Sequence, residues 1–188
     1  NNWDVSNVKD MSRMFQTPVF NGRIDQWDVS KVEDMRLMFS NAESFDQDIG
    51  NWDVSKVRDM SYMFNRALAF DQNIGNWKVD SVLNFAHMFQ EATSFNQDIG
   101  RWEVAKAEDF RFMFQEASSF DQDLSNWDVS NAIFMDRMFI DAIAFDQDLS
   151  EWDVDSVEKM FQMLNRSGLS LLNYDSTLIG WAVQDVKS

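Results

Sequence analysis

The chain has 188 residues, 45% of them hydrophobic and 14% aromatic, which is ample apolar material for the core of one or two domains. Its 32 acidic and 16 basic side chains leave a formal charge of −16, which argues against nucleic acid as a partner and favours cations or basic surfaces. The absence of cysteine excludes a thiol redox site, a disulfide scaffold and a cysteine zinc site.

No apolar run is long enough to insert in a membrane, and no basic-then-apolar leader opens the chain. Asn1 begins in the middle of a repeated unit, so the chain reads as a piece of a longer parent. Trp recurs at positions 3, 27, 52, 77, 102, 127 and 152, with a first step of 24 residues and five further steps of 25. Near-copies at one short period predict a stacked array. Residues 1–164 are expected to form seven tandem repeats in one solenoid, and residues 165–188 a C-terminal capping segment. The first unit departs from the others, with Pro18 where its helix should end and Gly22-Arg23 in place of Gln-Asp.

Each unit divides into two segments of different periodicity. In the third, the apolar residues Val57, Met60, Met63, Phe64 and Ala67 are three or four positions apart, which predicts one face of a helix of about three turns. The residue before each such run is Ser6, Ser30, Ser55, Asp80, Ala105, Ser130 or Asp155. Ser and Asp both accept hydrogen bonds from a first helical turn, so these positions read as N-caps, with Glu33 and Glu158 completing capping boxes. Ala105 lacks that ability, and the helix after it is expected to start more loosely.

The second segment is Phe-Asp-Gln-Asp-Ile, as in Phe45 to Ile49. Its two-residue alternation predicts a short extended strand. Gly50, Gly75, Gly100, Ser125 and Ser150 then suit a turn into the next Trp. The expected architecture is an α/β repeat solenoid, leucine-rich-repeat-like, with one short parallel β-strand and one α-helix per repeat of about 25 residues.

The pattern Val-x-x-Met-x-x-Met-Phe-x-x-Ala-x-x-Phe-x-Gln-Asp-Ile-x-x-Trp-Asp-Val-Ser resembles the short repeats of bacterial surface proteins related to the BspA-like leucine-rich repeats. The resemblance covers residues 3 to about 165 and is close in units two to six. The tail, with Leu171-Leu172-Asn173-Tyr174-Asp175 and Ile179-Gly180-Trp181, is similar to the closing segment of such arrays. The resemblance implies cell-surface or secreted display and adhesion-type binding, and it brings no catalytic residues.

In a stacked array every repeat position becomes a column. The Phe column (Phe20, Phe45, Phe70, Phe95, Phe120, Phe145) and the Ile/Leu column four residues on are expected to point inward. Alternation then sends Gln47, Gln72, Gln97, Gln122 and Gln147 inward as well, as a hydrogen-bonded amide ladder. The Trp column keeps step with Phe and Met and reads as core rather than as a ligand platform.

The same alternation sends two columns outward: Asp46, Asp71, Asn96, Asp121 and Asp146, and Asp48, Asn73, Asp98, Asp123 and Asp148. Neighbours about 5 Å apart would repel by roughly 3 kcal/mol at an effective dielectric of 20. These ten residues are therefore the candidate binding surface, suited to calcium or to a basic partner. The bland alternative is that they bend into solvent or cap adjacent turns. A third acidic column, Asp4, Asp28, Asp53, Asp128 and Asp153, is interrupted by Lys78 and Glu103 and is expected to make turn hydrogen bonds or face water.

His87, the single histidine, is expected on the polar side of its helix as a tolerated surface residue. The paired carboxylates recur in every unit, whereas a glycosidase needs two in unlike environments, so no enzyme is expected. Two functions follow. One is an extracellular or cell-surface recognition module that binds a protein or glycan through a sheet face and its acidic columns. The other is a structural spacer, stiffened by calcium.

Overall fold

In the computed structural model, which describes residues 3–184, the segment expected to be helical folds instead as a run of linked turns. Three bonds close them in the third unit: Met63 N–H to Met60 O at 3.1 Å, Asn65 N–H to Tyr62 O at 3.1 Å, and Ala67 N–H to Phe64 O at 3.0 Å. Each spans three residues, so an apolar side chain returns to the same side every three or four positions. A helix gives the same spacing. What stops a helix from propagating is the backbone of Tyr62 and Arg66, both left-handed at φ 58°. The same pair of left-handed positions recurs as Leu37 and Asn41, His87 and Glu91, Phe112 and Glu116, Arg137 and Asp141, and Gln162 and Arg166. Each costs about 1–2 kcal/mol of local strain.

That strain is offset by bonds between units. Between Met60 and Ala67 the N–H groups that do not close turns point to the following unit: Met60 to Asn84 O, Tyr62 to Ala86 O, Phe64 to Met88 O and Arg66 to Gln90 O, at 2.8–3.0 Å. Successive N–H groups thus alternate between closing a turn and joining the next unit. Each unit becomes one rung, stacked on its neighbours. The only β pairing among the described residues is a line of isolated parallel bridges, Asp10↔Asp34, Asp34↔Asp59, Asp59↔Asn84, Asn84↔Asp109, Asp109↔Phe134 and Phe134↔Lys159.

The expected α/β architecture is therefore corrected: no rung contains an α-helix or a strand, and no sheet face exists among the described residues. Nor are the expected N-caps caps. The N–H groups of Ser6, Ser30, Ser55, Ser130 and Asp155 donate to Oδ1 of Asp4, Asp28, Asp53, Asp128 and Asp153 at 3.0–3.1 Å, each closing a turn on the aspartate two residues back. Glu33 reaches across a rung to Lys9 Nζ at 3.0 Å instead of completing a capping box. No helix follows Ala105, where Ala107 N–H closes a turn on Val104 O at 2.8 Å.

The rungs enclose a continuous aromatic and aliphatic core. One phenylalanine column runs through Phe39, Phe64, Phe89, Phe114 and Phe139 with centroids 5.5–5.6 Å apart. A second runs through Phe45, Phe70, Phe95, Phe120 and Phe145 at 5.8–6.2 Å. Within a rung the two rings stack at about 4 Å, as Phe64 does on Phe70 at 4.0 Å. Trp27, Trp52, Trp77, Trp102, Trp127 and Trp152 are at most 8% exposed, whereas Trp3 is 65% exposed. The indole N–H groups of Trp52, Trp77, Trp102, Trp127 and Trp152 donate to the carbonyls of Ile24, Ile49, Ile74, Ile99 and Leu124 in the preceding rung at 2.9–3.3 Å.

The one α-helix among the described residues, α1 (Leu171–Ala182), closes the C-terminal end. Ser170 caps it, accepting from Asn173 N–H at 3.3 Å where earlier units carry the inward Phe. Buried Thr177 Oγ1 accepts Leu149 N–H at 3.1 Å, and Trp181 Nε1 donates to Leu149 O at 2.9 Å. No helix of the described residues is long and apolar enough to cross a membrane. Asn1, read as the start of a broken unit, and residues 185–188 of the expected capping segment lie outside the described residues.

Candidate functional site

The two acidic columns lie side by side, between the inward Phe and the inward Ile or Leu of each rung. In the first, every member holds the next rung. Asp46 Oδ1 accepts from Asp71 N–H at 3.1 Å and from Gln72 Nε2 at 2.8 Å. Asp71 takes Asn96 N–H and Gln97 Nε2, both at 2.9 Å. Asn96 takes Asp121 N–H at 2.9 Å and Gln122 Nε2 at 2.8 Å, and Asp121 takes Asp146 N–H at 2.9 Å and Gln147 Nε2 at 2.7 Å. In the divergent first unit Asn21 occupies this place and accepts from Asp46 N–H at 3.1 Å and Gln47 Nε2 at 2.8 Å. At the other end Asp146 Oδ1 meets Ser170 N–H at 2.7 Å and Asn173 Nδ2 at 3.0 Å.

The second column acts within its own rung. Asp48, Asn73, Asp98, Asp123 and Asp148 each accept, through Oδ1, the N–H two residues on: Gly50, Gly75, Gly100, Ser125 and Ser150, at 2.8–3.0 Å. Asn stands among the Asp in both columns because the bond needs only a carbonyl-type oxygen. The outer oxygens of Asp46, Asp48, Asp71, Asp98, Asp121 and Asp123 have no hydrogen bond among the described residues. That of Asp148 accepts Ser176 Oγ at 2.7 Å.

The inward glutamine ladder is corrected by the same geometry. Gln47, Gln72, Gln97, Gln122 and Gln147 are half-buried and bond to the preceding rung's Asp or Asn, not to one another. Only Phe and Ile or Leu go inside, four residues apart, so the two-residue alternation does not hold.

Hydrogen bonds lower the pKa of several aspartates outside and at the end of these columns. The hydroxyl and then the N–H of Ser6 hold Asp4 below the usual range, and Ser30, Ser55 and Ser130 do the same to Asp28, Asp53 and Asp128. Asp146 is lowered by the N–H of Ser170. Burial pushes Asp148 up, but bonds from Ser176 and Ser150 outweigh it, and the carboxyl lies below its ordinary value.

His87 is not a plain surface residue. Its ring is half-buried between Tyr62 at 4.1 Å and Phe112 at 4.5 Å, and Nδ1 lies 2.7 Å from Gln90 Oε1. Burial lowers its pKa below the ordinary 6.5, partly opposed by Gln90 and Asp109. The unfolded chain therefore takes up its proton first, and the contribution of His87 is complete above the ordinary pKa and falls as pH drops through it. His87→Phe should fit the stack and flatten the pH dependence of melting between about pH 7.5 and about pH 5. Equal slopes for parent and variant would refute this.

Two arrangements escaped the sequence reading. One is the stack of Tyr62, His87 and Phe112, continued by Arg137, whose guanidinium lies 5.6 Å from the Phe112 centroid. The other is a lateral pocket containing Lys56, Arg58 and Lys106. The 25-residue spacing of Lys31, Lys56 and Lys106, with Ser81 between, was the signal for the second. Among the described residues no group of three or more His, Cys, Asp or Glu side chains is placed to hold a metal ion.

A family model described as "Mycoplasma protein of unknown function, DUF285" matches residues 1–99 and again residues 69–181. Overlapping matches are what a repeated chain gives. No curated protein and no solved structure matches the chain.

Proposed function

We propose that this chain, which belongs to the family described as Mycoplasma protein of unknown function, DUF285, is a non-enzymatic recognition module displayed at a cell surface. Its partner is a protein or glycan bearing basic groups, bound along the two acidic columns. The observation that supports this reading is electrostatic. Asp46, Asp48, Asp71, Asp98, Asp121, Asp123, Asp146 and Asp148 take part in no ion pair among the described residues, although Asp25, Asp34, Asp59, Asp109 and Asp141 do. Bonds to the next rung in the first column and turn bonds in the second order these carboxyls and leave most outer oxygens free for a partner that supplies the charge. Surface display rests on the resemblance to BspA-like bacterial surface repeats.

Asn73 shows which variant tests it, because asparagine keeps the turn bond and removes the charge. Asp48→Asn, Asp98→Asn and Asp123→Asn together should leave the melting midpoint unchanged and weaken binding of an octalysine peptide about tenfold. A control losing the same charge at Asp25, Glu151 and Asp175 should weaken it less than about twofold. Equal losses in the two variants would reduce the effect to net charge and sink the proposal.

The same unpaired carboxylates favour a second reading, a spacer stiffened by calcium. In that case the melting midpoint of the parent rises by several degrees in calcium over chelator, and the triple variant loses the rise.

A further inference from the structure

We infer that the lateral pocket around Lys56, Arg58 and Lys106 binds a compact organic phosphate or sulfate. The pocket has a volume of about 380 Å³ and shares no residue with the acidic columns. Its shape follows from the repeat. Lys31, Lys56, Ser81 and Lys106 occupy one column, and the short Ser81 leaves a gap between two lysines. The adjoining column is threaded by Arg58 N–H to Glu33 O at 2.9 Å, Leu83 N–H to Arg58 O at 2.9 Å and Glu108 N–H to Leu83 O at 3.0 Å. It places Arg58 and Leu83 along the same gap.

The charges are out of keeping with their surroundings. Acidic side chains outnumber basic ones by 32 to 16, yet Lys56, Arg58 and Lys106 make no ion pair among the described residues. Glu33, the one carboxylate on the pocket, bonds to Lys9 at 3.0 Å and feels the charges of Arg58 and Lys56 without pairing with either. Three cations beside the hydroxyls of Ser55 and Ser81 match an anion with several oxygens, and the Arg58 guanidinium can take two at once. Leu83, 42% exposed, adds an apolar wall for the carbon part of the ligand.

Size and field limit the ligand further. A long polyanion would meet the rest of a chain carrying −16, whereas beyond about 8 Å physiological salt screens that field from a small one. The anion is therefore a single phosphate or sulfate group, on a soluble metabolite or on a lipid headgroup.

Titration of the whole chain with inorganic phosphate, sulfate and glycerol 3-phosphate, followed by NMR shifts of Lys56, Ser81 and Leu83, tests the site. Saturable binding is expected, strongest for glycerol 3-phosphate, and weakened about tenfold in Lys56→Gln with Lys106→Gln. Ser81→Lys is the decisive variant: it restores the column's own residue, fills the gap and adds a positive charge. A pocket loses binding about tenfold in this variant, whereas mere attraction to positive charge gains it. Parent protein that does not saturate, or Ser81→Lys protein that binds more tightly, overturns the inference. Sedimentation with phosphatidylglycerol vesicles assigns the source. Co-sedimentation of the parent that Ser81→Lys abolishes supports a lipid headgroup, and soluble binding without co-sedimentation supports a metabolite.

Discussion

Phe89→Ala is expected to lower stability by about 3–5 kcal/mol, the cost of truncating a buried aromatic ring. The Phe89 ring is fully buried, 5.6 Å from Phe64 and from Phe114, 4.0 Å from Phe95 and 6.3 Å from Trp102. Its loss leaves a hole that the neighbours cannot close, because the rung spacing is set by main-chain bonds such as Phe64 N–H to Met88 O and Phe89 N–H to Met113 O, both 2.9 Å. Each rung touches only its neighbours, so a central hole also weakens coupling between the two halves. Denaturant unfolding should show a lower midpoint and separation into two steps. Phe15→Ala, at the half-buried N-terminal end of the same column, is the control and should cost less than half as much. Equal losses at the two sites would mean that the stack does not transmit packing along its length.

The second large effect belongs to Asp71. Asp71→Ala strands the N–H of Asn96 and the amide of Gln97, both bound to Oδ1 at 2.9 Å, and should cost about 2–3 kcal/mol. Asp71→Asn should cost less than about 0.5 kcal/mol, since Asn96 and Asn21 already do the same work in other rungs. Thermal melts of the three proteins separate acceptor from charge. If asparagine proved as damaging as alanine, the column would be held by its negative charge and not by hydrogen bonding.

These two sites also show what the sequence made legible. The 25-residue period and the columns of Trp, Phe, Met and Ile follow from the spacing alone, because side chains of equal size at equal intervals can fill one continuous core. The local backbone does not follow. Val57, Met60, Met63, Phe64 and Ala67 return to one side whether the chain turns as a helix or as linked β-turns. The difference lies in two left-handed residues per rung, a conformation usually marked by glycine, asparagine or aspartate. Here it falls on Leu37, Tyr62, His87, Phe112 and Arg137, and at the second position of the pair only Asn41 and Asp141 are conventional markers. Side-chain identity carries little trace of it, since the bonds between rungs impose the conformation.

The acidic columns were legible as columns, and capping of adjacent turns, which the second column performs, was among the roles read for them; the bonds that the first column makes to the next rung were not. Interchange of Asp with Asn at positions 73 and 96 is the trace of a hydrogen-bond acceptor, a role that the oxygen fills with or without the charge. The basic pocket leaves a fainter trace in the sequence, since it depends on one small residue, Ser81, standing between lysines of the same column.

The forward-pointing amides have a last effect. In an ordinary sheet the peptide moments alternate and nearly cancel. Here Met60, Tyr62, Phe64 and Arg66 all direct their N–H bonds toward the next rung, as do Phe85, His87, Phe89 and Glu91 after them. The N–H groups of Arg58, Leu83 and Glu108 point the other way, to the preceding rung, and so do those of Asp71, Asn96 and Asp121, so the moments cancel in part. What remains along the axis comes from the forward set, with its positive end toward the C-terminal rungs.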